Sequence, residues 1–211
     1  FGDGLDPVNI LDGAISTEIF GGYLYWGAGN WVTGAQLWRT DGITLTQISD
    51  PGFASQAISS LAAFDGFLYA GLWSDTSTQV WRSANGTDWT QLVTFSDLGS
   101  GINDANGLEV YDGMLYLVGT NYESGLEVWR TADGMDWEQV GFVGFEDPAN
   151  QRTFFDNGIT TFQGRLCAAT INFDTGGEVW AYAPNDYEVY DVGMWLNLGV
   201  KDWLWGHALP G

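Results

Sequence analysis

Leu37-Trp38-Arg39-Thr40, Val80-Trp81-Arg82-Ser83 and Val128-Trp129-Arg130-Thr131 are one phrase written three times, and Val179-Trp180-Ala181-Tyr182 is a degraded fourth copy. The tryptophans fall 43, 48 and 51 residues apart. A period of this length marks one supersecondary unit, whose apolar faces stay bare until it packs on a neighbouring unit.

Working outward from the phrase, every unit has the same grammar. A first strand is expected at 15–19, 58–63, 108–110 and 159–161. It ends in an aromatic and a tight turn: Phe20-Gly21-Gly22, Phe64-Asp65-Gly66, Tyr111-Asp112-Gly113 and Phe162-Gln163-Gly164. Gly-Gly and Asp-Gly supply the positive φ that two-residue hairpins require. A second strand follows as Tyr23-Leu24-Tyr25-Trp26, Phe67-Leu68-Tyr69-Ala70, Met114-Leu115-Tyr116-Leu117 and Arg165-Leu166-Cys167-Ala168. In the first three units it is apolar on both faces of the pleat, where a sheet with one wet face would alternate. The tryptophan phrase forms the third strand. A turn (Asp41-Gly42, Asn85-Gly86, Asp133-Gly134, Pro184-Asn185) leads to a fourth strand at 44–48, 88–93, 136–140 and 187–192.

Four antiparallel strands in about 47 residues is the blade of a β-propeller. The reading is therefore an all-β propeller over 1–192, with blades near 12–50, 57–95, 105–142 and 156–192, and an aromatic tail, 193–211, outside the repeat. A β-sandwich would not explain one phrase recurring in each quarter of the chain. The opening Phe1-Gly2-Asp3-Gly4-Leu5-Asp6-Pro7 echoes Phe145-Glu146-Asp147-Pro148 between the third and fourth units. The four blades thus form either a closed ring or an arc of a larger one. A start at Phe1, without Met or signal peptide, reads as processing or excision from a longer chain. The tail holds Trp195, Trp203 and Trp205 and is expected to pack on the propeller or on a partner.

Of the 211 residues, 45% are hydrophobic, enough for a packed core. Twenty-seven acids against six Lys and Arg give a net charge of −21. Such a surface repels phosphates and anionic lipid, so neither nucleic acid nor a membrane surface is expected as partner. No apolar run approaches the ~18 residues of a membrane span. Cys167 is the only cysteine, which excludes an intrachain disulfide.

Ser83-Ala84-Asn85-Gly86-Thr87-Asp88-Trp89 and Thr131-Ala132-Asp133-Gly134-Met135-Asp136-Trp137 resemble the Asp-box of sialidase-like propellers, shortened by one residue. They sit between third and fourth strands, where that family carries its box. The first unit has Leu45 in place of the tryptophan, and the fourth lacks the motif. The whole unit, best in 113–137, is also similar to secreted kelch-like and Asp-box propeller repeats of bacteria and archaea. The resemblance implies a propeller outside the cell or on its surface. It does not imply catalysis, because the family's boxes are structural.

Sialidase chemistry needs clustered arginines, a tyrosine nucleophile and an acid/base carboxylate. Arg39, Arg82 and Arg130 share one repeat position, which marks them as structural, each pairing an acid nearby. Only Arg152 and Arg165 remain. His207 is the sole histidine and has no Gly-x-Ser-x-Gly elbow beside it. Cys167 stands where Tyr25, Tyr69 and Tyr116 stand in the other units and reads as a small buried hydrophobe. No catalytic residue is assigned, and no metal or cofactor is expected. The alternative is Ca²⁺ held by the acids of the blade connections, Asp3, Asp6, Asp97, Asp104, Glu146, Asp147 and Asp156.

The sharpest functional feature is a set of aromatics, Trp31, Trp73, Tyr122 and Phe173, each seven or eight residues before a repeat tryptophan. All are expected in the loop between second and third strands, on the face that also carries the connections between blades. Aromatic platforms beside carboxylates suit sugar rings. The expected function is therefore non-catalytic recognition of a glycan or a protein through these four residues. The alternatives are a structural subunit that assembles with itself or other chains through its tail, and a glycoside hydrolase using carboxylates in the central channel.

Overall fold

The computed structural model describes residues 16–30, 33–48, 52–53, 55–74, 78–151, 158–183, 186–196 and 204–205. Within them each unit is an antiparallel sheet whose spatial order is its chain order. The first blade is β1 (Ser16–Phe20), β2 (Tyr23–Ala28), β3 (Gln36–Thr40) and β4 (Leu45–Ile48). The second is β5 (Ala57–Phe64), β6 (Phe67–Trp73), β7 (Gln79–Ser83) and β8 (Thr90–Thr94). The third is β9 (Asp104–Tyr111), β10 (Met114–Asn121), β11 (Gly125–Thr131) and β12 (Glu138–Val140). The fourth is β13 (Ile159–Phe162), β14 (Arg165–Thr170), β15 (Gly177–Ala183) and β16 (Asp186–Leu196), with β17 (Leu204–Trp205) paired outside β16. The first strands pack in succession, β1 on β5, β5 on β9 and β9 on β13, so they line the inside of the arc. This is a β-propeller, and no α-helix occurs among the described residues. The fourth strand of the last blade runs past 192 to Leu196, which pairs with Gly177, so repeat and tail are continuous in backbone.

The turns form as their residues dictate. Gly21-Gly22, Asp65-Gly66, Asp112-Gly113 and Gln163-Gly164 all have positive φ at both central positions, the geometry that matches the twist of a hairpin. The core lies between blades, as stacked sheets require. One cluster joins the first two blades through Tyr25, Leu37, Ile58, Leu61, Leu68 and Leu72. A second joins the second and third through Tyr69, Val80, Phe95, Leu115, Leu117 and Trp129. A third joins the last two through Tyr116, Val118, Leu126, Ile159 and Leu166. β6 explains why alternation fails: Leu68, Tyr69, Ala70 and Leu72 are all wholly buried because both faces of the strand meet a neighbouring blade.

The recurring tryptophan is pinned from its own strand. Its indole N–H donates to the side chain two residues earlier: Trp38 to Gln36 at 3.2 Å, Trp81 to Gln79 at 2.9 Å, Trp129 to Glu127 at 2.9 Å and Trp180 to Glu178 at 3.1 Å. A buried N–H must find an acceptor, and this one is built into the repeat. Glu127 shows what else such a position can gather. It also accepts from Ser100 Oγ at 2.8 Å and from Asn121 Nδ2 at 2.9 Å, so a carboxylate 3% exposed is hydrogen-bonded on both oxygens.

The turns after the third strand are organised by their own side chains. Thr131 Oγ1 accepts from Gly134 N, and Asp133 Oδ1 accepts from Met135 N and Asp136 N. Ser83 and Asn85 make the same bonds to Gly86, Thr87 and Asp88. In the first blade Asp41 accepts from Ile43 N and Thr44 N. Those backbone donors hold the Asp41 and Asp133 carboxyls below the usual carboxylate range. The turn glycines of the second and third blades each serve the blade before. Any Cβ on Gly86 would overlap the Tyr25 hydroxyl, and any Cβ on Gly134 the Tyr69 hydroxyl, and both glycines have positive φ. The second-strand tyrosine of one blade is therefore a peg seated on the turn of the next.

The three repeat arginines are structural, although acid pairing is not their common role. Arg130 forms an ion pair, to Glu138 at 2.6 Å. Arg39 lies 4.4 Å over the Tyr23 ring and Arg82 4.4 Å over Phe67, each covering an aromatic of its own second strand.

Candidate functional site

Three of the loops between second and third strands are capped alike. Asn30 Oδ1 accepts from Thr33 N, Asn121 Oδ1 from Glu123 N and Ser124 N, and Asn172 Oδ1 from Asp174 N and Thr175 N. An Asx turn of this kind fixes the residue after the asparagine at its tip. In the third and fourth blades that residue is an aromatic, and it points outward: Tyr122 is 45% and Phe173 77% exposed. Trp31 occupies the same place in the sequence and lies outside the described residues.

Trp73 differs. It ends β6, half-buried, and pairs in register with Ala57 on one side and with Asp104 on the other. This Trp73–Asp104 pair is the bridge that fuses the second and third blades into one eight-stranded sheet. It lies at the entry end of inner strand β9, on the face of the blade connections. Ser74 N donates to Asn103 O and Thr78 N to Ile102 O, tying these two residues to the backbone just before β9.

Asp104 is buried, 8% exposed. Asn106 Nδ2 donates to Asp104 Oδ2 at 3.1 Å, and Thr120 Oγ1 donates to Asn106 Oδ1 at 2.6 Å. The relay Thr120–Asn106–Asp104 orients, from two strands of one blade, the carboxylate of a residue whose backbone pairs with Trp73 of another. Among the residues singled out from sequence, the structure thus joins Trp73 with Asp104, and places Tyr122 and Phe173 separately on their own loops.

Among the described residues no three His, Cys, Asp or Glu side chains come together as a metal site would need. Asp147 is committed to structure: its Oδ1 accepts from Ala149 N and its Oδ2 from Asn172 Nδ2. Asp3, Asp6, Asp156 and His207 lie outside the described residues. Cys167 is a free, half-buried thiol whose pKa burial pushes up, which favours the unreactive protonated form.

No protein-family model and no curated protein matches this chain. Solved structures do. The α-L-arabinofuranosidase PaAbf62A from Podospora anserina, in complex with cellotriose, superposes with a TM-score of 0.55 at 13% identity, over 90% of this chain and 70% of that one. GH43B of the Bacteroides ovatus xyloglucan PUL gives 0.54 at 10% identity, over 83% and 40%. The α-L-arabinofuranosidase CtGH43 from Clostridium thermocellum gives 0.53 at 14% identity, over 84% and 70%. At such identities the likeness is one of fold.

These neighbours correct the expectation of a non-catalytic recognition module. The architecture this chain shares is one on which α-L-arabinofuranosidases are built. The physical reason for the misreading is narrow. Too few arginines excludes sialidase chemistry, but hydrolysis of neutral sugars needs carboxylates and no arginine cluster.

Proposed function

We propose that this propeller is a glycan-processing enzyme, a glycoside hydrolase whose sugar site lies on the connection face around Trp73 and Asp104. The observation that carries the reading is that pair. A half-buried indole offers an apolar plane for a sugar ring, and a buried, oriented carboxylate stands in register next to it. Glycoside hydrolysis uses a carboxylic acid to protonate the leaving oxygen and a second carboxylate to activate water or attack the anomeric carbon. Asp104 is assigned as one of the two. Asn106, held by Thr120, fixes its orientation. Tyr122 and Phe173 extend the platform for longer chains, and Trp31 is assigned there by sequence equivalence.

The turn motif is read as a shortened Asp-box that keeps its structural role. The resemblance to secreted kelch-like repeats and the charge of −21 support a site of action outside the cell, on polysaccharide.

The test is hydrolysis of chromogenic arabinofuranosides and xylosides and of reducing-end-labelled xylan oligosaccharides. Asp104→Asn keeps the size and the Asn106 contact. It is expected to lower kcat by about 100- to 10,000-fold, the range for loss of an acid/base group. Trp73→Ala is expected to raise KM more than it lowers kcat. A folded wild-type protein inert on the whole panel, or Asp104→Asn with unchanged turnover, removes the proposal.

A further inference from the structure

We infer that the junction between the third and fourth blades is a binding site for a small neutral aromatic molecule, of the size and kind of indole. The site is a cavity of about 220 Å³. Phe142, Phe145, Trp180, Leu166, Tyr116 and Tyr182 line it. It lies across the third blade from the Trp73–Asp104 pair and is independent of the function proposed for that pair.

What the cavity should hold is written in the other two junctions. Between the first and second blades, the Phe53 ring sits edge-on to two indoles, Trp81 at 5.3 Å and 71° and Trp89 at 5.3 Å and 75°. Between the second and third, Phe95 does the same with Trp129 at 5.4 Å and 77° and with Trp137 at 5.8 Å and 67°. One indole comes from the third-strand phrase and the other from the turn that follows it. The fourth unit keeps the first indole, Trp180, and has no counterpart of the second, because its turn motif is missing. Among the described residues Phe145 has one indole partner, Trp180, and lies flat on it, 4.9 Å away at 16°. At one second-strand position Ala168 stands where the third blade has the larger Leu117 and the second blade Ala70. The feature that sets this junction apart from both others is the turn tryptophan that the fourth unit lacks.

The chemistry of the walls selects the same occupant. An apolar cavity of about 150 Å³ is known to stay dry and to take up benzene. This one is larger, its walls are mainly aromatic, and aromatic rings prefer offset or edge-on partners. Its polar groups are the Tyr116 and Tyr182 hydroxyls, and Arg130 Nη1 donates to Tyr182 Oη at 3.4 Å. A ring with one N–H or O–H could meet a hydroxyl there, whereas a charged ligand would lose its hydration. Access is open on one side, where Phe142 is 67% exposed.

The experiment is titration of the full chain with indole and with phenol, followed by saturation-transfer NMR and calorimetry, with cyclohexanol as the non-aromatic match to phenol. One saturable site per chain is expected, with phenol bound at least tenfold more tightly than cyclohexanol. Ala168→Leu, which restores the side chain of the neighbouring blade, is expected to weaken indole at least tenfold while melting no lower than wild type. Three results would each overturn the inference: no saturable binding, binding unchanged by Ala168→Leu, or equal affinity for cyclohexanol. A fourth would do so and name another occupant: wild type silent, but a variant with Trp195, Trp203 and Trp205 all changed to Ala binding indole, which identifies the chain's own tail as the filling.

Discussion

The junction between the second and third blades and the junction between the third and fourth are built from the same parts and end differently. The first is filled: Phe95, Leu115 and Leu117 are wholly buried, and two indoles grip Phe95. The second keeps a void beside Phe145, whose φ of 51° is a conformation that residues other than glycine seldom adopt. Repetition conserves the plan of a blade, and single side chains decide how each junction is filled. A propeller can therefore carry a structural junction and a ligand-sized one on opposite faces of a single blade.

The largest expected effect breaks the filled junction. Trp129→Ala removes a ring 6% exposed that is bonded to Glu127 and packed on Phe95, and should cost about 3–5 kcal/mol in chemical denaturation. Trp180→Ala, next to an existing void, should cost clearly less. Equal losses would mean that the two junctions are energetically alike, against the comparison. Next is the peg: Gly134→Ala should cost about 2–3 kcal/mol, since it combines positive φ with overlap on Tyr69. Adding Tyr69→Phe should restore part of that loss, and a strictly additive double mutant would show that the hydroxyl is not the obstacle.

A pair of opposed changes sharpens the contrast. Leu117→Ala should destabilise by about 2–4 kcal/mol, whereas its mirror, Ala168→Leu, should stabilise by about 0.5–2 kcal/mol through filling. Thermal melts that move in the same direction for both variants would contradict the packing account. The least effect is electrostatic. Asp133 has a folded-state pKa below its unfolded one, because Met135 N and Asp136 N bond its charged form. Its contribution is thus complete above about pH 4 and lost as pH falls through the lower, folded value. Asp133→Asn should flatten that part of the stability–pH curve, and an unchanged slope would show that the turn bonds do not sense protonation.

Much of this was legible in the chain. The Trp-Arg phrase and the paired Gly turns fixed the blade and its strand order, because both respond to local rules of period and φ. The peg-and-glycine contact was not legible, since it joins residues of different blades, Tyr25 with Gly86 and Tyr69 with Gly134. The Gln or Glu two places before each tryptophan does recur visibly, at 36, 79, 127 and 178. Its role as an indole acceptor is not legible there, because two residues on one face of a strand can pack without bonding. At the candidate site, Trp73 and Asp104 were each picked out from sequence for separate reasons. Only the β6–β9 bridge shows that they adjoin, and Asn106 and Thr120 carried no pattern that would have marked them.

The outermost strands have a consequence of their own. β4, β8 and β12 run four, five and three residues, too short to template another chain, whereas β16 runs eleven. A long bare margin invites lateral accretion of copies. By pairing with Met194 and Trp195, β17 occupies the far part of that margin. Its two residues act as a selvedge on that edge, and a Leu204→Pro change, which removes a backbone donor there, should turn a well-dispersed solution turbid on warming if the bared edge recruits other copies.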